Sequence, residues 1–174
     1  MATSVCVLGL GMMGRPMARV LIGAGFGVKG WNRSALPHDL VDGIPMCRDP
    51  REAAQADVCL LMLADSAATD AVLGDLEPHL RSGRLVLDMG SSDPSRSKVH
   101  ARRLAAKGIG WVDAPVSGGP EGAKTGTLAI MRGCISRDWI VATLTEGLAA
   151  QDSPGRESGA LEQPILGNGL IAVV

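Results

Sequence analysis

Three features of the 174-residue chain predict an α/β fold, a parallel sheet doubly wound by helices. Short apolar runs alternate with helix-like segments, the order expected of βαβ units. The run at residues 58–63 is apolar throughout, as in a strand covered on both faces. A glycine-rich turn joins the first apolar run to the first helix-like segment, the place where such sheets bind ligands.

Taken in order, Val5–Leu8 reads as the first strand. Met12–Ala24 has helical spacing, with Met13, Met17, Val20, Leu21 and Ala24 on one face and Gly25 as its stop. Phe26–Trp31 reads as the second strand, followed by a loop at Asn32, Arg33 and Ser34. Pro45–Cys47 is a weak short strand. Asp49 then caps a brief helix that has Pro50 at its first position. Val58–Leu63 and Leu85–Asp88 are strands, with a helix over Ala67–Leu76 between them. Asp93 and Pro94 open another helix, to about Ala106, and Gly108–Val112 returns as a strand. Beyond Cys134 the pattern changes. Ile135–Ala150 allows a helix, Gln151–Pro164 reads as loop, and Leu170–Val174 is either a final strand or the edge of a shortened chain. The expected division is residues 1–133 as one domain and residues 134–174 as a partly disordered or irregular tail.

Composition narrows the function. Apolar residues make up 46% and charged residues 20%, enough to bury a core. Seventeen basic residues face eighteen acidic ones, and the arginines are scattered. That balance argues against nucleic acid or an acidic membrane as partner. Aromatics are only 2%, too few for base-stacking platforms. No apolar run approaches the ~18 residues needed to span a bilayer. The N-terminal apolar stretch reads as a strand rather than a signal peptide. Cys6, Cys47, Cys59 and Cys134 form no CxxC pair and read as buried reduced thiols of a cytoplasmic protein. His38, His79 and His100 are far apart in sequence, among polar or loop-like neighbours, so no metal site is expected.

Gly9-Leu10-Gly11-Met12-Met13-Gly14 is a GxGxxG motif between a predicted strand and a predicted helix. Gly9 permits the turn, Gly11 leaves room for a pyrophosphate, and Gly14 lets the helix approach the sheet. The helix N-terminus adds free N–H groups and partial positive charge. At the end of the second strand, an NAD-type site places an acidic residue for the ribose. Here the chain has Asn32, Arg33 and Ser34 instead. Arg33 can pair with a 2′-phosphate, and Asn32 and Ser34 can donate hydrogen bonds to it. NADP(H) is therefore expected over NAD(H). A second motif, Asp113–Leu128, reads DAPVSGGPEGAKTGTL. From its residues alone it is equally a ligand-binding loop or a long turn.

GLGMMGRPMA at Gly9–Ala18 and DAPVSGGPEGAKTGTL together resemble the β-hydroxyacid dehydrogenases. That family includes 3-hydroxyisobutyrate dehydrogenase, tartronate semialdehyde reductase and the succinic semialdehyde/glyoxylate reductases, and is related to 6-phosphogluconate dehydrogenase. Met62–Asp65 and Asp88–Pro94 look like family segments too, and the resemblance covers roughly residues 4–133. It implies a Rossmann-type cofactor domain and hydride transfer between NADP(H) and a β-hydroxyacid or its oxo form. Gly9 to Gly14 would cradle the pyrophosphate, and Asn32 and Arg33 match NADP-preferring members. Leu63, Ala64 and Ser91 would line the cofactor. Ser117, Gly118 and Gly119 would hold the substrate carboxylate.

The chain departs from the family after that point. The family's general acid/base is a lysine on a helix beyond this domain, but the last lysine here is Lys124, and no catalytic residue is assigned. The family's second, all-helical domain has no counterpart. The expectation is a shortened member that binds NADP(H) and is weak or inactive as a dehydrogenase. Exposed apolar surface would favour self-association. The alternatives are a non-catalytic NADP-binding module and an imine-reductase-like enzyme. The Asp113–Leu128 stretch favours hydroxyacid chemistry over the latter.

Overall fold

The computed structural model describes residues 3–133 and 170–173. The expectations for Cys134, Ile135–Ala150 and Gln151–Pro164 fall outside the described residues. Five strands form one parallel sheet in the order β2-β1-β3-β4-β5: β1 (Ser4–Leu8), β2 (Gly27–Trp31), β3 (Val58–Leu61), β4 (Leu85–Asp88) and β5 (Gly110–Asp113). The helices between them are α1 (Gly14–Gly23), α2 (Pro50–Ala53), α3 (Ser66–Leu76) and α4 (Pro94–Ala105).

Both faces of the sheet are covered, as a doubly wound fold requires. Alternation along β1 shows it. Val5 and Val7 join Met17, Ala18 and Leu21 of α1 in one core. Cys6 and Leu8 join Ala53 of α2, Val72, Leu73 and Leu76 of α3 and Leu104 of α4 in the other. Every residue of β3 and β4 is buried, which explains their unbroken apolar runs. α1 buries Gly14, Met17, Ala18 and Leu21. It starts two residues later than Met12, and Ala24 lies beyond its end, exposed.

The weak strand at Pro45–Cys47 survives as a single parallel bridge between Gly30 and Met46. Gly30 N donates to Pro45 O at 2.8 Å, and Cys47 N donates to Gly30 O at 2.7 Å. This segment therefore lies outside β2 and extends the sheet by one short edge. Its brevity limits it to two hydrogen bonds.

Two helix starts follow the predicted caps, Asp49 and Asp93, and a third is capped by Asp65, which the sequence had not singled out. Asp49 accepts from Glu52 N at 2.8 Å, Asp65 from Ala68 N at 2.8 Å, and Asp93 from Ser95 N at 2.7 Å. Pro50 and Pro94 take the first helical positions, where their missing N–H costs nothing. α1 differs: it has no side-chain cap and no acidic residue in its first turn.

The Asp113–Leu128 motif is neither a plain loop nor a long turn. It contains β6 (Val116–Ser117) and α5 (Gly119–Thr125), and Gly126 closes α5 in the left-handed region. Gly, Pro and Thr masked this helix in the sequence. α5 buries Gly122 and Ala123 against the α1 side of the core. A second, antiparallel sheet follows, in the order β6-β7-β8, from β7 (Ala129–Gly133) and β8 (Leu170–Val173). Leu170–Val173 is thus a strand, paired along β7.

The three histidines also divide. His38 and His79 lie in single 3-10 turns. His100, expected among polar neighbours, is buried in α4 against Trp111, and its Nε2 lies 2.8 Å from Asp70 Oδ1. Among the described residues no group of three or more His, Cys, Asp or Glu is placed to hold a metal ion. No helix among them is long and apolar enough to cross a membrane.

Candidate functional site

The carboxyl ends of β1 to β4 bring the predicted cofactor residues to one edge of the sheet. β2 lies on one side of β1 and β3 on the other, so a crevice opens above β1, where the winding reverses.

The glycine turn leaves β1 at Gly9, whose φ is +98°. A Cβ there would overlap Met62 O and the Leu63 side chain. Gly9 N donates to Trp31 O at 2.9 Å, which ties the turn to the end of β2. At Gly14 a Cβ would overlap the Gly9 carbonyl, so the first turn of α1 lies directly against the loop. Gly11 is the opposite case. It is exposed, and a Cβ there would meet nothing within 4 Å. The open side of this turn adjoins the N-terminus of α1, which has no side-chain cap and carries partial positive charge, although Arg15 N donates to Gly11 O and Pro16 has no N–H. That combination suits a pyrophosphate. Leu10 is buried beneath the turn, Met13 is partly buried, and Met12 is 74% exposed.

Asn32 takes a position the sequence did not reveal. Its Oδ1 accepts from Leu10 N at 3.0 Å, and its Nδ2 donates to Ser34 O at 2.8 Å. Asn32 therefore clamps the glycine turn to the loop after β2, and its amide is already engaged. Arg33 and Ser34 are exposed beside it, and among the described residues Arg33 has no ion-pair partner. No acidic residue stands at this strand end.

Leu63 and Ala64 follow β3 and border the same crevice; Leu63 touches the space above Gly9. Ser91 follows β4 and is exposed. It lines a polar cleft of about 530 Å³ with Asp65, Ser66, Ala67, Ser92, Asp93 and Arg96. The loop carrying Ser91 is anchored from below. Asp88 is fully buried, Gly90 N donates to its Oδ1 at 3.1 Å, and Ser92 Oγ donates to its Oδ2 at 2.6 Å. Burial raises the Asp88 carboxyl above the usual range, against the pull of these donors. Asp113 lies opposite on β5, raised by burial and by the neighbouring Asp88 charge. Sequence patterns did not single out this acidic pair, because each residue simply ends a strand.

Ser117, Gly118 and Gly119 are exposed at the start of α5. Ser117 ends β6, and Gly118 and Gly119 begin α5, which packs beside α1 on the same face of the sheet. The structure therefore groups Gly9–Gly14 with Asn32–Ser34 and Leu63–Ala64, and carries Ser117–Gly119 at the start of the helix that packs on α1.

Comparison with known proteins agrees with the fold. Residues 4–147 match the family model for the NAD binding domain of 6-phosphogluconate dehydrogenase. The match runs past Gly133, further than the two motifs had suggested. A 2-(hydroxymethyl)glutarate dehydrogenase of Eubacterium barkeri is 35% identical over 132 residues, 72% of this chain and 44% of that protein. An NAD-dependent L-serine dehydrogenase of Pseudomonas aeruginosa is 38% identical over 136 residues, 74% of this chain and 45% of that protein. The structure of Mycobacterium tuberculosis 3-hydroxyisobutyrate dehydrogenase with L-serine aligns with a TM-score of 0.77 at 30% identity. It covers 86% of this chain and 53% of that one. The chain spans about half the length of the curated relatives it matches.

Proposed function

The chain belongs to the family of the NAD binding domain of 6-phosphogluconate dehydrogenase, and on that footing we propose that it binds NADP(H) for hydride transfer to or from a β-hydroxyacid. One observation carries the reading. The open turn at Gly11 adjoins a strand end that bears an exposed Arg33 and no carboxylate. NADP(H), when bound, supplies or accepts the hydride at its nicotinamide.

The chain's own residues would hold and orient it. Gly9 to Gly14 would cradle the pyrophosphate, its backbone N–H groups beyond Leu10 facing the phosphates and Leu10, Met12 and Met13 shaping the turn. Arg33 would pair with the 2′-phosphate, and Ser34 would add a hydrogen bond. Asn32 would hold both loops at the spacing that phosphate requires. Leu63, Ala64 and Ser91 would border the cofactor on its way to β4. Ser117, Gly118 and Gly119 would bind the substrate carboxylate.

No lysine follows Lys124, and loss of a general acid/base typically costs about 10²–10⁴-fold. As a 174-residue chain it would therefore bind cofactor and turn over slowly, which makes a non-catalytic binding module the second reading. The Asp113–Leu128 motif favours a hydroxyacid over an imine.

The test is calorimetric titration of the purified chain with NADPH and with NADH. NADPH should bind more tightly. Arg33→Ala should weaken NADPH by about 10–100-fold, the worth of one charge-assisted contact, and leave NADH nearly unchanged. Equal affinities, or an equal loss for both cofactors, would overturn the NADP assignment. A turnover of about 1–10³ s⁻¹ on a β-hydroxyacid would overturn the slow-chain reading.

A further inference from the structure

Away from the cofactor edge, two thiols meet across β2. Cys6 lies on β1, and Cys47 lies beside the Met46 bridge on the far side of β2. Their sulfurs are 3.8 Å apart. Both side chains belong to the core beneath α2, α3 and α4, at 1% and 7% exposure. A small cleft of about 180 Å³ reaches both, with Ser4, Lys29, Glu52 and Gln55 on its walls.

We propose that Cys6 and Cys47 form a two-coordinate binding site for a soft monovalent metal ion of the Cu(I) class. Strand geometry selects this over a disulfide. With β2 between them, the two backbones stand roughly two inter-strand spacings apart, about 9–10 Å. A disulfide needs Cα atoms within about 7 Å, so closing one would require β1 or the residue 45–47 segment to move. A metal held linearly between two thiolates spans about 4.5 Å from sulfur to sulfur, twice a metal–thiolate bond of about 2.3 Å. Side-chain rotation alone can open the observed gap that far.

The number of ligands selects the ion. Cys59 is paired in register with Cys6, but its thiol donates to Ala53 O at 3.6 Å, inside the core. With no third ligand among the described residues, a tetrahedral zinc site has no basis. Thiolates prefer soft ions, and two of them suffice for Cu(I). Binding releases one proton from each thiol to solvent through the cleft. It forms two S–metal bonds and leaves copper in the same oxidation state, so no oxidant is needed.

The experiment is anaerobic titration of the reduced full chain with Cu(I) against a chromophoric Cu(I) chelator. One equivalent should be retained. Cys6→Ser and Cys47→Ser should each lower the affinity at least 10-fold, while Cys59→Ala and Cys134→Ala retain it. X-ray absorption at the copper edge should show two sulfur neighbours and no nitrogen, a reading that does not depend on how the variants fold. Failure to retain copper, retention that survives Cys47→Ser, or dependence on Cys134 would each overturn the site. Peptide mapping after peroxide treatment is the second check. A Cys6–Cys47 disulfide formed in the folded protein would show that the strands can close, and would overturn the geometric argument.

Discussion

Two glycine-rich turns stand at the carboxyl edge of this molecule, and they are held in different ways. The turn at Gly9–Gly14 is enclosed. Gly9 and Gly14 lie against backbone carbonyls, Trp31 O accepts from Gly9, and Asn32 clamps Leu10 N. The turn at Ser117–Gly119 is open. Gly118 and Gly119 take positive φ of 126° and 61°, a Cβ on Gly119 would meet nothing within 4 Å, and all three residues are exposed. The first turn is preorganised by its own sheet, so the ordering cost of ligand binding is already met in folding. The second is held on one side, by the Ser117–Ala129 pairing and by Leu128 beside Gly118, and is open at Gly119.

The largest expected effect tests the enclosure of the first turn. Gly14→Ala should destabilise the protein by about 2–4 kcal/mol, since the loop or α1 must shift to clear the Gly9 carbonyl. It should abolish NADPH binding. Gly11→Ala should unfold within about 0.5 kcal/mol of the parent, as surface substitutions do, yet weaken NADPH at least 10-fold by filling the open cradle. Thermal unfolding and calorimetry on the pair decide it. Two variants equal in stability would show that the turn is not packed as described.

A smaller effect tests the openness of the second turn. Gly119→Ala should cost about 1–2 kcal/mol, the strain of a left-handed conformation, and leave NADPH affinity unchanged. A loss of NADPH binding would join the two turns into one site and remove the contrast.

The smallest effect concerns the acidic pair between them. The carboxyls of Asp88 and Asp113 are both raised in the folded protein. Below the ordinary carboxylate range both states are protonated, and the pair costs nothing. As pH rises through that range, the unfolded chain ionises first and folding stability falls. The fall is complete once pH passes the folded values. Asp57 acts in the opposite sense. Its hydrogen bonds from Ser4 and the Arg84 guanidinium beside it hold it low, so its contribution is present at neutral pH and lost in acid. Asp113→Asn should remove part of the first effect alone. Melting temperatures from pH 3.5 to 8 should therefore converge on the parent at the acid end and exceed it at the neutral end. Parallel curves would show that Asp113 titrates as an ordinary surface carboxylate.

Local chemistry explains which parts were legible. Strand runs, the caps at Asp49 and Asp93 and the GxGxxG turn are signalled by neighbours in the chain, so reading along it suffices. α5 was not legible, because its residues favour turns and its burial of Ala123 depends on a distant core. The clamp at Asn32 was misread for a related reason. An amide after a strand suggests a ligand contact, but its partner 22 residues earlier is placed by sheet pairing.

The sequence by itself determined the α/β class, the order of the elements of the cofactor half, the glycine turn and the absence of an acidic residue after β2. These depend on residue type and short-range spacing. Only the tertiary structure decided the strand order, the division of β1 into two cores, the Asn32 clamp, the Asp88–Asp113 pair and the meeting of Cys6 with Cys47. Each of these depends on how the strands pair, and that pairing brings together groups that are 22 to 53 positions apart in the chain.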